Sequence, residues 1–557
     1  MAEEVSAKPK SSYSSYTAFF FLVNYILGTG FLGIPYVMYH SGIISCTFTL
    51  MVITVFNCFG ALWIIESMAR AYALEKHSEE DSSRRLIDDE KPNYSTIDSK
   101  LSNDVRSLSF LSRRKFEITE LCGCFFGKNV KLLCLLIVYV QITLASWSFT
   151  TVAASTWSSN IPFGNTTTLR QCTPEDFADN VIPTELGCLN SYRLCVGIYG
   201  VLVIILSCLE LTEQKIIQII MGLLRFFVVT FMCINSLYAY AVAHGNSHSV
   251  GNSVDIGQMN NLPDYNTTLS NANPVFYSFE GWLQAIPIFV YAELMHLGLP
   301  SMLEPVADKR NLHRLIVGVF CIMGFIYIFI GITISIRFQG SVAQIATLNW
   351  IQFSKEGNPT SLRVMSYIVI FFPSLDVLSA FPLSAIALSN NIYAALTGYD
   401  TTELEAVSHS RMKQIVLRLF VSVVPITCAF FVESLVTILR WAGLLGFFVC
   451  YFMPIGLQFF SRRMYRLKFV DNWSARYQAS TEEVVEENQV EHTNLVYNKP
   501  MDTPYSSWFS GKKTLFVTLI YALTAFGFTI AGIVMSSGGS SHANRTHLDM
   551  TDIDYGY

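Results

Sequence analysis

Apolar residues in this chain gather into runs of about 20, each long enough to cross a ~30 Å hydrocarbon core as a helix. Only 14% of the residues are charged, whereas a water-soluble protein carries about 25%. The chain is therefore predicted to be an all-α polytopic membrane protein. Eleven spans are predicted, at 17–39, 43–68, 130–157, 192–211, 215–243, 282–303, 312–336, 362–395, 412–438, 440–460 and 513–537.

The distribution of basic residues predicts the orientation. With the N-terminus in the cytosol, 29 of the 37 lysines and arginines lie on the cytosolic side, and one, Arg225, lies within a span. This asymmetry is typical of membrane proteins. An odd number of spans then places the C-terminus in the lumen or outside the cell. The predicted parts are a cytosolic tail (1–16), a membrane domain (17–537) and a lumenal or extracellular tail (538–557).

The N-terminus lacks the basic region and short apolar core of a secretory signal, so the first span is expected to remain in the protein. Two polar cytosolic segments, 74–115 and 471–510, are predicted to be disordered because they are rich in polar and acidic residues. The first contains Tyr94, followed at Ile97 by a bulky apolar residue. This pattern resembles signals that sorting adaptors bind on the way to endolysosomal membranes. A solvated loop without that role is an equal alternative, so the predicted membrane is endolysosomal or plasma.

The lumenal side is predicted to carry two loops, 158–191 and 244–281. Cys172 and Cys188 share the first loop, which is in an oxidising compartment, and they are predicted to form a disulfide. Glycosylation sequons on this side indicate a glycoprotein, and they begin at Asn165, Asn266 and Asn544.

Two spans contain residues that interrupt a helix. The first reads Gly28-Thr29-Gly30 and continues to Pro35, and the sixth ends in Gly298-Leu299-Pro300. Inside a membrane a helix unwinds only where it lines a cavity or is buried in protein. Breaks in the first and sixth positions are typical of carriers built from five-plus-five inverted repeats, which bind their solute at the midplane between them. Kinked helices that pack closely through glycine are the alternative.

An unwound Gly28-Thr29-Gly30 would expose backbone N–H groups at a helix N-terminus, where a carboxylate binds favourably. Carbonyl groups nearby suit a cation or an amino group. An amino acid carries both groups and is therefore the predicted solute. Tyr291 and His296 in the sixth span complete the predicted substrate-binding set, although a lone helical histidine is more often a packing residue.

Carboxylates inside a membrane are costly and usually line a functional cavity. Glu293 and Asp376 are the deepest in this sequence, and either one is expected to carry a coupled proton or to pair with a cation. A structural hydrogen bond is the alternative role for each. Glu66 and Glu433 lie near span ends and are expected to reach the membrane interface.

The segment Asn24-x-x-x-Gly28-Thr29-Gly30-x-Leu32-Gly33 resembles the first-helix signature of the amino acid/auxin permease family, which includes the sodium-coupled neutral amino acid transporters. The stretch from Tyr291 to Glu304 is similar to the sixth helix of that family. Residues from Phe381-Pro382 to Asn390-Asn391 are closer to an orphan branch of it, catalogued as transmembrane protein one hundred and four.

This resemblance implies an eleven-helix secondary amino acid carrier. In the sodium-coupled relatives, a first-helix asparagine, matched here by Asn24, and an eighth-helix hydroxyl help to hold the cation. The eighth span offers Ser374 and Ser379 for that hydroxyl, but it adds Asp376. The coupling ion is therefore left open between sodium and a proton.

The predicted function is secondary active transport of an amino acid by alternating access. The alternative is a membrane amino acid sensor that moves little solute and signals through its cytosolic segments. Phosphate-binding, zinc-protease and nucleophile-elbow motifs are missing from the sequence, so an enzyme is not predicted. No cofactor, nucleic-acid partner or metal beyond a coupling sodium ion is expected.

Overall fold

The fold was analysed in a computed structural model, which describes residues 14–87, 111, 116–162, 169–172, 186–208, 214–247, 277–354, 358–397, 411–468 and 503–548. This part of the chain is almost entirely helical and holds no β-strand. The fold class predicted from the apolar spans is confirmed. The helices are α1 (Ser15–Ile26), α2 (Gly30–Ser41), α3 (Ile43–Ile87), α4 (Ile118–Phe126), α5 (Lys128–Asn160), α6 (Leu186–Cys208), α7 (Gln214–Ser247), α8 (Phe279–Ala292), α9 (Leu299–Leu303), α10 (Leu312–Phe338), α11 (Thr360–Thr397), α12 (Arg411–Ala429), α13 (Leu435–Phe447), α14 (Met453–Arg466) and α15 (Lys512–Leu548).

Nine helical segments of the described residues are long and apolar enough to cross a membrane, and α1 and α2 together form a tenth. The axes of α1 and α2 differ by 56°, so the first predicted span is a broken helix. The sixth predicted span is also broken, into the 14-residue α8 and the 5-residue α9. With this split segment, each of the eleven predicted spans has a counterpart in the helices.

Serine side chains mark the beginning of several helices. Ser14 Oγ accepts from Thr17 N (3.3 Å) at α1, and Ser278 Oγ accepts from Gly281 N (3.2 Å) at α8. Ser434 caps α13 in the same way. A serine in this position accepts one of the backbone N–H groups that a helix leaves free at its start. Helix α13 begins after the cap at Ser434, so residues 435–438, which are predicted for the ninth span, belong to the tenth, and the ninth ends at Ala429.

Both polar segments predicted to be disordered contain folded residues at their edges. Helix α3 continues past 74 to Ile87, well beyond the predicted end of the second span. Residues 503–510 fold as a turn followed by a 3₁₀ helix, Trp508–Ser510. Tyr505 and Phe509 are buried there because they pack into the apolar core of the bundle. The expectation of disorder is wrong for these residues.

The two halves of the broken first and sixth spans pack at the centre of the helical bundle. Helix α8 lies against α13, where Gly443 faces the carbonyl of Pro287 so closely that a Cβ would overlap it. A Cβ at Gly33 of α2 would lie 2.9 Å from Leu439 of α13. Small residues at such crossings let helix backbones approach within a membrane protein. The contact between α8 and α13 therefore depends on glycine at 443.

Gly443→Ala is expected to lower the thermal stability of the purified protein, because the added methyl group has no space and overpacking costs about 1–3 kcal/mol. Gly197→Ala in α6 is the matched control, since a Cβ there meets nothing within 4 Å. Thermal unfolding in detergent measures both. An unchanged midpoint for Gly443→Ala would show that α8 and α13 do not pack as described.

Candidate functional site

The break in the first span separates α1 from α2 at residues 27–29 and brings glycine against the broken sixth span. Gly28 N donates to Ile26 O (2.6 Å), which ends the regular helical ladder. A Cβ at Gly30 would lie 2.5 Å from the Cα of Ala292, the last residue of α8. Glycine at 30 is therefore required for the two breaks to meet.

The break in the sixth span extends over 293–298, between α8 and α9. The ring of Tyr25 in α1 covers Gly298, where a Cβ would lie 2.6 Å from Tyr25 Cζ. Residues on both sides of the first break thus contact both sides of the second. The structure brings the two predicted breaks together at one place.

Three hydroxyl groups from different helices meet beside the first break. Thr29 Oγ1 lies 2.9 Å from Ser148 Oγ of α5, and Tyr291 Oη lies 3.4 Å from Ser148 Oγ and 3.5 Å from Thr29 Oγ1. Thr29 is buried. Four predicted substrate-binding residues, Gly28, Thr29, Gly30 and Tyr291, therefore lie together, and Ser148 joins them without having been predicted.

Tyr327 of α10 connects the two broken spans directly. Its hydroxyl lies 2.8 Å from Ile26 O and 2.8 Å from Ala292 O, the last carbonyls of α1 and α8. A phenol carries one proton, so it donates to one carbonyl at a time. The side chain holds the ends of both helices at one point, and the apolar pattern of its span gave no signal of this role.

Glu293 begins the second break and turns toward α3. Its carboxyl accepts from Asn57 Nδ2 (3.1 Å) and is hydrogen-bonded to Thr54 Oγ1, whose own proton is also within reach of Leu50 O (2.8 Å), and the residue is 0% exposed. Both partners are neutral. Among the described residues, Glu293 makes no salt bridge with a lysine, arginine or histidine.

His296 shares the α3 side of the break with Glu293. Its Nε2 donates to Asn57 O (3.0 Å), and this nitrogen would lie 2.9 Å from a Cβ on Gly60. The hydrogen bond of His296 is thus with α3, its ring also lies 6.3 Å (centroid to centroid) from that of Phe320 in α10, and these contacts differ from those of Thr29 and Tyr291. Its assignment to the substrate-binding set remains a prediction.

Asp376 of α11 is paired with Arg225 of α7, the basic residue that the sequence places within a span. The guanidinium donates through Nη2 to Asp376 Oδ1 and through Nη1 to Asn24 O near the end of α1. Both charged residues are buried. The sequence carried the signal for this pair, an arginine and an aspartate each inside an apolar span, but Arg225 was not predicted as a site residue.

The other residues predicted to hold a cation have local partners. Ser374 Oγ donates to Phe371 O (2.8 Å), and Ser379 Oγ donates to Asp376 O (2.8 Å), both within α11. Asn24 Oδ1 is buried and finds no hydrogen-bond partner among the residues that the structure describes. The structure thus gathers Asn24 and Asp376 around a guanidinium, while both serine hydroxyls bond to carbonyls of their own helix.

The remaining predicted sites lie away from the breaks. Cys172 and Cys188 form a disulfide, with Cα atoms 4.9 Å apart. Tyr94, Ile97, Asn165 and Asn266 fall outside the described residues, and Asn544 lies in the part of α15 whose side chains are not described. Glu66, expected at the interface, is instead 0% exposed, because residues 506–510 and Gln458 cover it, and Arg70 of the same helix forms an ion pair with it.

A helical membrane protein whose first and sixth spans are both broken, with the breaks in contact, has the architecture of transporters with discontinuous helices. The chain belongs to the family described as "Transmembrane amino acid transporter protein", whose profile matches residues 11–460. It is therefore an integral membrane protein of a transporter family, as the resemblance implied.

Several curated relatives share the name given to the orphan branch. The chain is 25% identical to "Transmembrane protein 104 homolog" of Caenorhabditis elegans, over 70% of each chain. It is 24% identical to the homolog of Drosophila melanogaster over 81% of this chain and 89% of the relative. Human "Transmembrane protein 104" is 23% identical over 68% and 74%. These names state neither a solute nor a coupling ion.

Arg225→Met and Asp376→Asn are each expected to destabilise the protein, because removing one partner of a buried ion pair costs about 3–5 kcal/mol. The double variant should lose less than the sum of the single variants, since no unpaired charge remains. Thermal unfolding in detergent measures the cycle, with Lys413→Met at an exposed position as the control. Additive losses would argue against a direct pair.

Proposed function

We propose that this protein is a proton-coupled secondary transporter of amino acids, which alternates access around the paired breaks. The observation that carries the proposal is that two buried carboxyl groups have different kinds of partner. Asp376 is paired with a guanidinium, whereas the hydrogen-bond partners of the Glu293 carboxyl in the described part of the chain are Thr54 and Asn57. A buried carboxylate without a cation is costly, so Glu293 is neutral, and hence protonated, in this conformation.

The solute class follows from the family and from the chemistry of the breaks. Because Tyr327 can donate to only one of the carbonyls at the ends of α1 and α8 at a time, the other can accept from an amino group. The start of α2 presents backbone N–H groups where a carboxylate binds favourably. The hydroxyls of Thr29, Ser148 and Tyr291 lie beside this point and give it further polar contacts.

The position of Arg225 favours a proton over sodium as the coupling ion. Its guanidinium contacts Asn24 O and Asp376, two of the residues expected to hold a cation. A sodium ion bound there would be repelled by a fixed positive charge in a medium that screens charge weakly. Arg225 itself supplies the positive charge that Asn24 O and Asp376 bind, so a sodium ion is not needed there.

In the described part of the chain, few groups near Glu293 could take up the proton that it releases. Besides His296, the ionisable groups near enough to interact with its charge are thiols and phenols of the helices packed around it, namely Cys58, Tyr327, Cys450, Tyr451 and Tyr521. Those groups are neutral when protonated. Release of the proton from Glu293 therefore requires that water reach it, which a change of conformation supplies.

We infer that this conformation is closed toward the face predicted to be lumenal or extracellular. Residues 342–350, which follow α10 on that face, include buried Ala346, Leu348 and Trp350. The contact of Gly443 with Pro287 closes α8 against α13. Alternating access would require both contacts to loosen when the solute enters from that side.

Glu293→Gln is expected to abolish proton-driven accumulation in proteoliposomes while retaining exchange of labelled for unlabelled amino acid. The glutamine oxygen can accept from Asn57 and its amide can donate to Thr54 Oγ1, as the protonated carboxyl does, but the amide has no proton to release. A thermal-shift screen first identifies the amino acid to be labelled. Wild-type protein should accumulate it under an imposed pH gradient, equally with sodium or choline outside. Glu280→Gln, at an exposed position in the first turn of α8, is the matched control.

Accumulation that follows a sodium gradient, or unchanged proton-driven accumulation by Glu293→Gln, would contradict the coupling proposal. Amino acid binding without uptake in any gradient would instead support a sensor. A sensor of this kind should keep its ligand affinity and lose signalling when residues 74–115 are removed.

A further inference from the structure

Residues 503–510, which we name the strap, lie across the middle of α3 and the C-terminal part of α14, just before α15 begins. Tyr505, Phe509 and Ser510 are 2%, 6% and 3% exposed, although the sequence around them is polar. The strap thus occupies a built site on the face predicted to be cytosolic. The transport proposal assigns no role to this site.

Glu66 of α3 is the centre of the site. Its Oε2 accepts from Arg70 Nη2 (2.6 Å), Gln458 Nε2 (2.9 Å) and Ser506 Oγ (3.2 Å), and its Oε1 accepts from Ser510 Oγ. One carboxylate therefore joins α3, α14 and the strap. A buried charge is tolerated when it is paired and its remaining lone pairs accept hydrogen bonds, as here.

Arg70 extends the same network into α14. Its Nη1 donates to Gln458 Oε1 (2.8 Å) and to Ser461 Oγ (3.0 Å). Glu66, Arg70 and Gln458 are all 1% exposed or less. A buried network of this kind fixes one arrangement of the elements that it joins, because any other arrangement leaves polar groups unpaired.

Further contacts hold the backbone of the strap. Trp63 Nε1 of α3 donates to Phe509 O (3.2 Å), and Arg462 Nη1 of α14 donates to Ser510 O. The rings of Phe59 and Phe509 are stacked, with centroids 6.2 Å apart. Leu111 N donates to Tyr505 Oη (3.4 Å), so the strap also contacts the end of the first polar segment.

The helix pair that the strap joins leads to Glu293. Gly60 of α3 lies against Cys450 O, in the π-helical turn Phe448–Phe452 between α13 and α14, and against His296. Asn57, a partner of Glu293, lies one turn further along α3. Glu66 is nine residues beyond Asn57, about 13 Å along the helix. The strap therefore closes the end of an interface that begins at Glu293.

We propose that the strap is a latch that holds α3 against α14 and keeps the α3–Cys450 interface closed toward the predicted cytosolic face. Releasing the strap opens that interface. Tyr505 and Leu111 lie at the ends of the two long polar segments and contact each other. A force applied to either segment therefore acts on the latch. This proposal does not depend on the solute or on the coupling ion.

The test is the accessibility of a native thiol. Cys450 is 0% exposed, and Cys195 is equally buried in a different core cluster around α6 and α12. The double variant Ser506→Ala, Ser510→Ala removes two strap hydroxyls from Glu66 and leaves Arg70 and Gln458 in place. Purified full-length protein is alkylated with a water-soluble maleimide, and labelling of each cysteine is followed by peptide mass spectrometry.

Labelling of Cys450 is expected to become several-fold faster in the double variant, with Cys195 unchanged. Hydrogen–deuterium exchange of 503–511 should rise in parallel. Thr524→Ala is the matched control, because its hydroxyl bonds only to Ile520 O of its own helix. Faster exchange in the strap without faster labelling of Cys450 would overturn the latch.

Trp63→Phe keeps a six-membered aromatic ring but removes the indole N–H that holds Phe509 O, together with the rest of the buried indole. It tests the latch if the double variant fails to fold, and Cys195 reports any general loosening that the smaller side chain causes. The same selective increase at Cys450 is expected, to a smaller degree. Equal increases at Cys450 and Cys195 in this variant would mean general loosening and would also overturn the proposal.

Discussion

The structure depends on how the carbonyl groups released at two helix breaks find donors away from water. In hydrocarbon each unpaired backbone group costs several kcal/mol, so a helix breaks only where other groups replace its hydrogen bonds. Here Tyr327 donates its one proton to Ile26 O or to Ala292 O, and Arg225 donates to Asn24 O. Two side chains from α10 and α7 thus lower the cost of the breaks, and they tie the broken helices to their neighbours.

The same region separates two buried acids by their partners. Asp376 receives a fixed positive charge from Arg225, which makes the pair neutral as a unit. Among the described residues Glu293 has only neutral hydrogen-bond partners, and in our proposal it is neutral because it holds a proton. One acid is suited to holding helices together, and the other is suited to changing its charge when its surroundings change. This division supports the choice of a proton as the coupling ion.

Much of the fold could be predicted from the sequence, because hydrocarbon thickness dictates the length of each span and glycine and proline mark the breaks. Thr29 and Tyr291 could be placed at the paired breaks for the same reason. Their partners could not, since Ser148 and Tyr327 lie on helices whose apolar pattern says nothing of which residue faces a break. Arg225 was visible as a charge within a span, but its partner depends on the packing of α7 against α11.

The burial of Glu66, in the middle of α3, shows a different limit of prediction from sequence. Glu66 was expected to reach the interface because it lies near a span end, yet the strap buries it. Sequence distance hid the partner, since Ser510 follows Glu66 by 444 residues. Composition had also assigned the strap to a disordered segment, because its few aromatic residues were averaged with a long polar stretch.

Helix α3 contains 45 residues, so it is about 68 Å long, roughly twice the thickness of a hydrocarbon core. Thr54 and Asn57 contact Glu293 near its first third, and the helix continues without a break to Ile87. Such a rod acts as a lever. A tilt of about 5° at Asn57 would displace the backbone at Ile87 by roughly 4 Å, given ~1.5 Å of rise per residue. A change in the protonation of Glu293 that tilts α3 would thereby move the end of this helix outside the membrane.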